Sequence, residues 1–252
     1  MAKDECEKMA TLQEHQNALY VVLEEFDRVC KKLDIPYVIF AGTLLGAVRH
    51  QGFIPWDDDV DVMMLREDYD RFLREADQVL DAEKFFLQKE FSEHWPLFFS
   101  KLRLNNTTCL EKFHPRDHMM HQGIYIDIFP CDNAWSSAFG RKLQFLASKV
   151  VISKSLDKRG YDTDSIKKKL IIWVCRLLPM TPFLSFVKGG NKRGETVHSF
   201  FSAALRKLIG RVAPELKYSR CKLRRLWISL SVTADHSNRI FYSKMLQAFL
   251  QP

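Results

Sequence analysis

Ala41-Gly42-Thr43-Leu44-Leu45-Gly46-Ala47-Val48-Arg49-His50, followed one residue later by Gly52-Phe53-Ile54-Pro55-Trp56-Asp57-Asp58-Asp59-Val60-Asp61, is the stretch on which the fold turns. Tyr37 to Ala41 is a short apolar run ended by Gly42, which predicts a buried strand feeding a turn. Thr43 to Val48 then reads as a short helix, Gln51 to Pro55 as loop, and Asp59 to Leu65 alternates polar and apolar residues as a strand does. Residues two apart in a strand share a face, so Asp59 and Asp61 are expected side by side while Val60 and Val62 face the core.

Working outward, Leu12, Leu19, Val22, Leu23, Phe26, Val29, Cys30 and Leu33 recur at helical spacing, which predicts an amphipathic helix from about Asp4 to Leu33, ended by Asp34-Ile35-Pro36. A helix from about Glu67 to Leu80 follows, then strands at Phe85 to Leu87, Leu97 to Leu104 and Gly123 to Phe129, the last stopped by Pro130. Strands interleaved with helices up to residue 130 make this a domain of mixed helix and sheet. Beyond Gly140 the pattern turns helical and basic, and the most apolar part, Leu170 to Val187, contains Arg176, Pro179 and Pro182. It is too interrupted for a spanning helix, which needs roughly 20 apolar residues, so a buried or interfacial helix is expected.

Paired carboxylates repel, and burying such a pair is unfavourable unless a cation neutralises it; magnesium, a hard ion that accepts oxygen ligands, suits that task. A third carboxylate, Asp127, sits inside the apolar run Ile124-Tyr125-Ile126-Asp127-Ile128. If its strand neighbours that of Asp59 and Asp61, the three can hold metal for displacement at phosphorus. A solvated acidic turn is the plainer reading of Asp57 to Asp61, and a satisfied hydrogen-bond acceptor that of Asp127. Gly42-Thr43 stands where backbone N–H groups and a hydroxyl can cradle phosphate at a helix start. Followed by Asp-x-Asp on the next strand, it is the signature pair of the nucleotidyltransferase fold. Arg49, Lys101 and Arg103 are candidates for the remaining phosphate charge, with paired surface cations as the alternative.

The net charge of +7 hides an asymmetry. Residues 1–140 carry 15 Lys+Arg against 25 Asp+Glu, a balance of −10, whereas residues 141–252 carry 23 against 6, a balance of +17. An acidic half can hold divalent cations; a basic half can face phosphates on a nucleic acid, an anionic glycan or a membrane surface. Met1 to Lys8 is charged and no apolar segment of a secretion signal follows, so a cytoplasmic protein is expected, and the Asn106-Thr107-Thr108 sequon is expected to be silent. Six scattered cysteines without a C-x-x-C pair match reduced thiols.

The two opening blocks resemble the LicD family, which includes the catalytic domains of fukutin and the fukutin-related protein. Lys101-Leu102-Arg103 with Asn106-Thr107, and His121-Gln122-Gly123-Ile124-Tyr125-Ile126-Asp127-Ile128-Phe129-Pro130, resemble its later blocks in the correct order, so the resemblance covers roughly residues 10–135. It implies an α+β fold: a nucleotidyltransferase-like mixed sheet with flanking helices in a catalytic core over residues 1–135, with residues 136–252 as a basic, mainly helical C-terminal elaboration. It implies transfer of a phospho-alcohol, phosphocholine above all, from a CDP-linked donor to a hydroxyl of a surface glycan such as lipopolysaccharide or teichoic acid, with release of CMP. Asp59, Asp61 and Asp127 match the family's catalytic carboxylates and, with Asp57, its metal ligands for magnesium or manganese. Gly42, Thr43, Arg49, Lys101, Arg103 and His121 fall on the substrate side. A lipid-linked acceptor and peripheral contact with an anionic membrane, on its inner face, suit the basic half. Lys217 to Pro252 is basic where family members end in an acidic and aromatic segment.

Three other readings compete. A metal-dependent glycosyltransferase also uses Asp-x-Asp but leaves Gly42-Thr43 unexplained, and a nucleotidylating enzyme of the same fold differs only in which side of the diphosphate moves. A nucleic-acid binder would use the basic half, yet residues 141–252 show no recognised nucleic-acid motif, so nucleic acid is not expected as partner. His114, His118 and His121 with Cys109 invite zinc, but Pro115 favours a loop over the helix that His114 and His118 need to face one ion.

Overall fold

The computed structural model describes residues 10–110, 120–135, 137–161 and 163–188. Helix α1 (Leu12–Leu33) opens on a capping box: Glu14 N–H donates to Thr11 Oγ1, and Thr11 N–H donates to the Glu14 carboxylate at 2.7 Å. It therefore starts at Leu12 rather than Asp4, and residues 4–9 lie outside the described residues. It ends at Asp34, whose φ of 51° lies in the left-handed region. Its buried stripe, Leu19, Val22, Leu23, Phe26, Val29 and Cys30, lies in the main core with one face of the sheet.

Five strands, β1 (Val38–Ile39), β2 (Asp61–Leu65), β3 (Phe85–Gln88), β4 (Ser100–Leu104) and β5 (Tyr125–Cys131), form one sheet in the order β1-β2-β5-β4-β3. Only β2 and β5 run parallel; the other pairs are antiparallel, so the sheet is mixed and the architecture is the expected α+β. Val62, Met64, Ile126, Ile128, Leu102, Phe85 and Leu87 join α1 and helix α3 (Arg66–Glu75) in the main core. Alternation sends Asp61, Asp127, Tyr125, Lys101 and Arg103 to the opposite face.

The strands are shorter at several ends than expected, with β1 confined to Val38–Ile39, β4 starting at Ser100 and β5 at Tyr125, and two further differences have a plain physical reason. β2 begins at Asp61, not Asp59, because β1 gives way to helix α2 (Ala41–Arg49) there, and the Asp61 N–H bonds a side chain of that helix. Asp59 thus lies in the preceding loop, not on the strand with Asp61. β5 runs through Pro130 instead of stopping before it: its pairing with β4 ends at Ile128, so beyond that point only β2 remains alongside, and a proline is tolerated at such an edge.

The apolar stretch Leu170 to Val187 is not one helix. Pro179 separates α5 (Ile166–Leu177) from α6 (Met180–Lys188), which meet at 95°. Helix α4 (Ala138–Lys158) packs on α6, with Gln144 Nε2 donating to Val187 O at 2.9 Å and Trp135 stacked on Phe186 at 5.0 Å. α6 is tied to the core where Lys188 Nζ meets Glu90 at 3.0 Å, and Arg66 bridges Glu90 to Asp132. Cys30, Cys109, Cys131 and Cys175 are free thiols. The basic tail Lys217 to Pro252 lies outside the described residues.

Candidate active site

The site forms where β1 hands over to α2. Ala41 takes a φ of 48°, an unfavourable left-handed turn for a residue with a Cβ, costing about 1 kcal/mol or more. That turn sets the start of α2 beside β2. Phe40 N–H donates to Asp61 O at 2.9 Å, and Thr43 Oγ1 accepts the Asp61 N–H at 2.9 Å. Thr43 is only 3% exposed, so its oxygen anchors the first residue of β2 rather than lying open to a phosphate.

Helix α1 shapes the loop before β2. Gln16 Nε2 donates to Asp57 O and His15 Nε2 to Asp58 O, both at 2.9 Å, while Asp57 N–H closes a turn onto Ile54 O. The result brings carboxylate oxygens of Asp57, Asp58 and Asp59 within 4.8 Å of one another. Asp57 also leans over α2, and a Cβ on Gly42 would stand 2.7 Å from its Oδ2. Glycine at 42 is what admits that carboxylate.

Across the sheet, Asp61 on β2, Asp127 on β5, Lys101 on β4 and Gln88 on β3 stand in one register row. Lys101 Nζ lies 3.3 Å from Asp127 Oδ1, and the lysine is 2% exposed. Its ammonium rests on the rings of Tyr125, at 3.1 Å, and Trp95, at 4.9 Å, from the centroids. Burial, then Asp127 and Asp59, push the Asp61 carboxyl up to about 8. Burial, with Asp57 and Asp127, pushes Asp59 up to about 6, and burial beside Asp58 raises Asp57. Lys101 opposes the rise at both Asp59 and Asp61. Asp57, Asp58 and Asp59 bring their oxygens within 4.8 Å, and Asp61 and Asp127 adjoin them closely enough for their charges to act on one another; carboxylate oxygens are hard donors that suit magnesium or manganese.

Besides Thr43, three residues expected on the substrate side are engaged by other parts of the protein. Arg103 is fully buried, donating to Gln88 Oε1 at 2.7 Å and Gly123 O at 2.8 Å, so it braces β4 against β3 and the approach to β5. His121 bonds Asn105 through Nε2 and accepts Gly123 N–H at Nδ1, and it stacks on Phe86 at 5.0 Å. Burial and Arg103 lower its pKa, and both ring nitrogens are occupied, which also removes it from the zinc reading; His114 and His118 lie outside the described residues. Lys101 reaches the carboxylate row, but from within the protein. Arg49 stands exposed in the last turn of α2 with no ion pair among the described residues.

Sequence reasoning missed Asp58 as a member of the cluster, the aromatic seat of Lys101, and the loop-holding roles of His15 and Gln16. Strand parity could have found Tyr125, two residues before Asp127. No local pattern marks His15 or Gln16.

With this geometry in view, residues 34–145 match the family described as LicD/FKTN/FKRP, nucleotidyltransferase domain. Among curated relatives, the lipopolysaccharide cholinephosphotransferase LicD of Haemophilus influenzae is 48% identical over 66 residues, 26% of this chain and 25% of that protein. Uncharacterized proteins of Rickettsia prowazekii and Rickettsia typhi are each 49% identical over 51 residues, 20% of this chain and 19% and 16% of theirs. The chain thus matches a quarter or less of the length of each of these relatives.

Proposed function

We propose that this chain, whose residues 34–145 match the LicD/FKTN/FKRP nucleotidyltransferase domain family, transfers a phospho-alcohol from a CDP-linked donor to a hydroxyl of a glycan, releasing CMP. The observation that carries this reading is the register row Asp61, Asp127 and Lys101 beside the loop cluster Asp57, Asp58 and Asp59. Such an array matches the charge of a diphosphate only when a divalent cation lies between carboxylates and phosphates. Asp57, Asp59, Asp61 and Asp127 would hold magnesium or manganese, with Asp58 adjoining. A divalent cation held there would neutralise the charge that develops on the leaving CMP.

The chain's own residues do the rest. Thr43 and Phe40 fix the Asp61 backbone, Gly42 leaves room for the Asp57 carboxylate, and Lys101 holds Asp127 from behind. Arg49, exposed at the end of α2, is assigned to the outer phosphate charge. Phosphocholine and a lipopolysaccharide-type acceptor are the leading substrate pair, a choice supported by the description of the Haemophilus relative.

The test supplies CDP-choline labelled in the choline and in the cytosine, a glycan acceptor, and magnesium or manganese. Choline label should enter the glycan while cytosine label stays in CMP. Asp59→Asn and Asp61→Asn should each lower turnover by at least about 100-fold with circular dichroism unchanged. Cytosine label in the glycan would identify nucleotidylation, activity with a UDP-sugar alone would identify a glycosyltransferase, and a folded Asp61→Asn variant at full activity would remove the metal assignment.

A further inference from the structure

The twelve-residue helix α5 buries one side chain, Cys175, and leaves almost everything else in solvent. Ile166, Leu170, Trp173 and Leu177, spaced four, three and four apart, form one stripe and are 82%, 58%, 57% and 70% exposed. At about 100° per residue the stripe is centred roughly opposite Cys175, so it points directly away from the protein. Lys169 and Arg176 flank it on one side, and Lys167 with Val174 on the other. The helix is fastened to α4 by polar contacts: Arg176 Nε donates to Asp157 Oδ2 at 2.9 Å, and Lys154 Nζ donates to Arg176 O at 2.9 Å. α4 adds the exposed apolar residues Phe139, Leu143 and Leu146, again at spacings of four and three.

We propose that α5 docks this protein on an anionic lipid surface, with Ile166, Leu170, Trp173 and Leu177 in the interface and the flanking Lys167, Lys169 and Arg176 against the headgroups. Charge selects the occupant. Residues 137–188 carry 11 Lys+Arg against 3 Asp+Glu, and α5 itself has four basic residues and no acidic one. A second copy of the same face would bring like charges together. The segment that follows α6, residues 189–252, is itself basic, with 12 Lys+Arg against 3 Asp+Glu, and so does not complement the charge of the rim. An anionic bilayer complements both the apolar stripe and its cationic border.

Geometry makes the contact peripheral. Twelve residues of helix measure about 18 Å, short of the roughly 30 Å hydrocarbon core, and among the described residues no single helix is long and apolar enough to cross a membrane. The 95° bend at Pro179 turns α6 back onto α4, leaving α5 to lie flat. The docking stands apart from the transfer reaction and is tested without it.

The full chain is mixed with phosphatidylcholine vesicles with and without phosphatidylglycerol, and the bound fraction is measured by sedimentation over a salt series. Binding should favour the anionic vesicles by about 100-fold and fall with salt, since each lysine at the surface contributes about fivefold. Trp173→Glu, at an exposed position, should reduce binding at least about tenfold with circular dichroism unchanged. Lys167→Glu and Lys169→Glu together should abolish the preference for anionic lipid. Equal binding to both vesicles, or binding insensitive to Trp173→Glu, overturns the proposal. So does a wild-type dimer in gel filtration that Trp173→Glu dissociates while neither form binds vesicles, which would assign the stripe to a second copy.

Discussion

Thr43 Oγ1 accepts the backbone N–H of Asp61 at 2.9 Å, joining the start of α2 to the first residue of β2 across 18 positions of sequence. Phe40 N–H donates to the carbonyl of the same aspartate. The Gly-Thr pair and the Asp-x-Asp pair are therefore one structural unit: the first positions the second.

Removing the acceptor leaves a buried N–H without its partner, which costs about 1–3 kcal/mol. Thr43→Val should lower stability by that amount in urea denaturation and also lower activity, because Asp61 loses its anchor. Thr43→Ser keeps the oxygen and should stay within about 1 kcal/mol of the parent. Equal stability of the valine and serine variants would show that the bond holds nothing.

The two glycines of α2 should respond differently to alanine. At Gly42 the new methyl meets the far end of the Asp57 side chain, which can swing away; at Gly46 it meets the backbone of Gly52 and Ile54, which cannot do so cheaply. Gly46→Ala should therefore cost about 1–3 kcal/mol in stability. Gly42→Ala should change stability by less than about 1 kcal/mol while reducing turnover through displacement of Asp57. Thermal denaturation beside a CMP-release assay separates the two.

Much of this was legible in the residues themselves. Asp127 stands out because an acid interrupts an apolar strand, and that strand does run beside the one that carries Asp61. What stayed hidden depends on partners distant in sequence. Nothing around Arg103 announces that Gln88 and Gly123 will take its guanidinium, and nothing near His121 announces Asn105. The start of β2 was misjudged because alternation continues through Asp59 although its β1 neighbour has already turned into α2. The break at Pro179 was visible as a proline, but its consequence, α6 folding back on α4, depends on Trp135 and Gln144 far upstream.

The raised carboxyl of Asp61 carries a pH signature in metal-free protein. Its folded value of about 8 lies above the usual range, so between about pH 4 and about pH 8 the folded state binds more protons than the unfolded state. The contribution of Asp61 to stability then falls as pH rises through that window, with Asp59, at about 6, adding to the lower part. Asp61→Asn removes the liability and should raise the melting temperature at pH 8 while flattening the slope. A chelated sample whose stability rises from pH 5 to pH 8, with no gain from Asp61→Asn, would contradict the crowding of carboxylates described above.

Lys101 joins the electrostatics of the site to its packing. It is buried on the Tyr125 and Trp95 rings and meets Asp127 at 3.3 Å, and its charge lowers the tendency of Asp59 and Asp61 to take up protons. Lys101→Met keeps length and apolar contact but deletes the charge. Breaking a buried ion pair from one side costs about 3–5 kcal/mol because the other charge is left behind. Here that charge sits among carboxylates assigned to a divalent cation, so added magnesium should recover part of the loss and stabilise Lys101→Met more than the parent. Lys101→Arg keeps the charge but not the compact ammonium that fits over the Tyr125 ring, and should fall between the two. Urea titrations of the three proteins, each with and without magnesium, measure both effects. If magnesium raised the midpoint of Lys101→Met no more than that of the parent, Lys101 and the metal would not be acting on the same carboxylates.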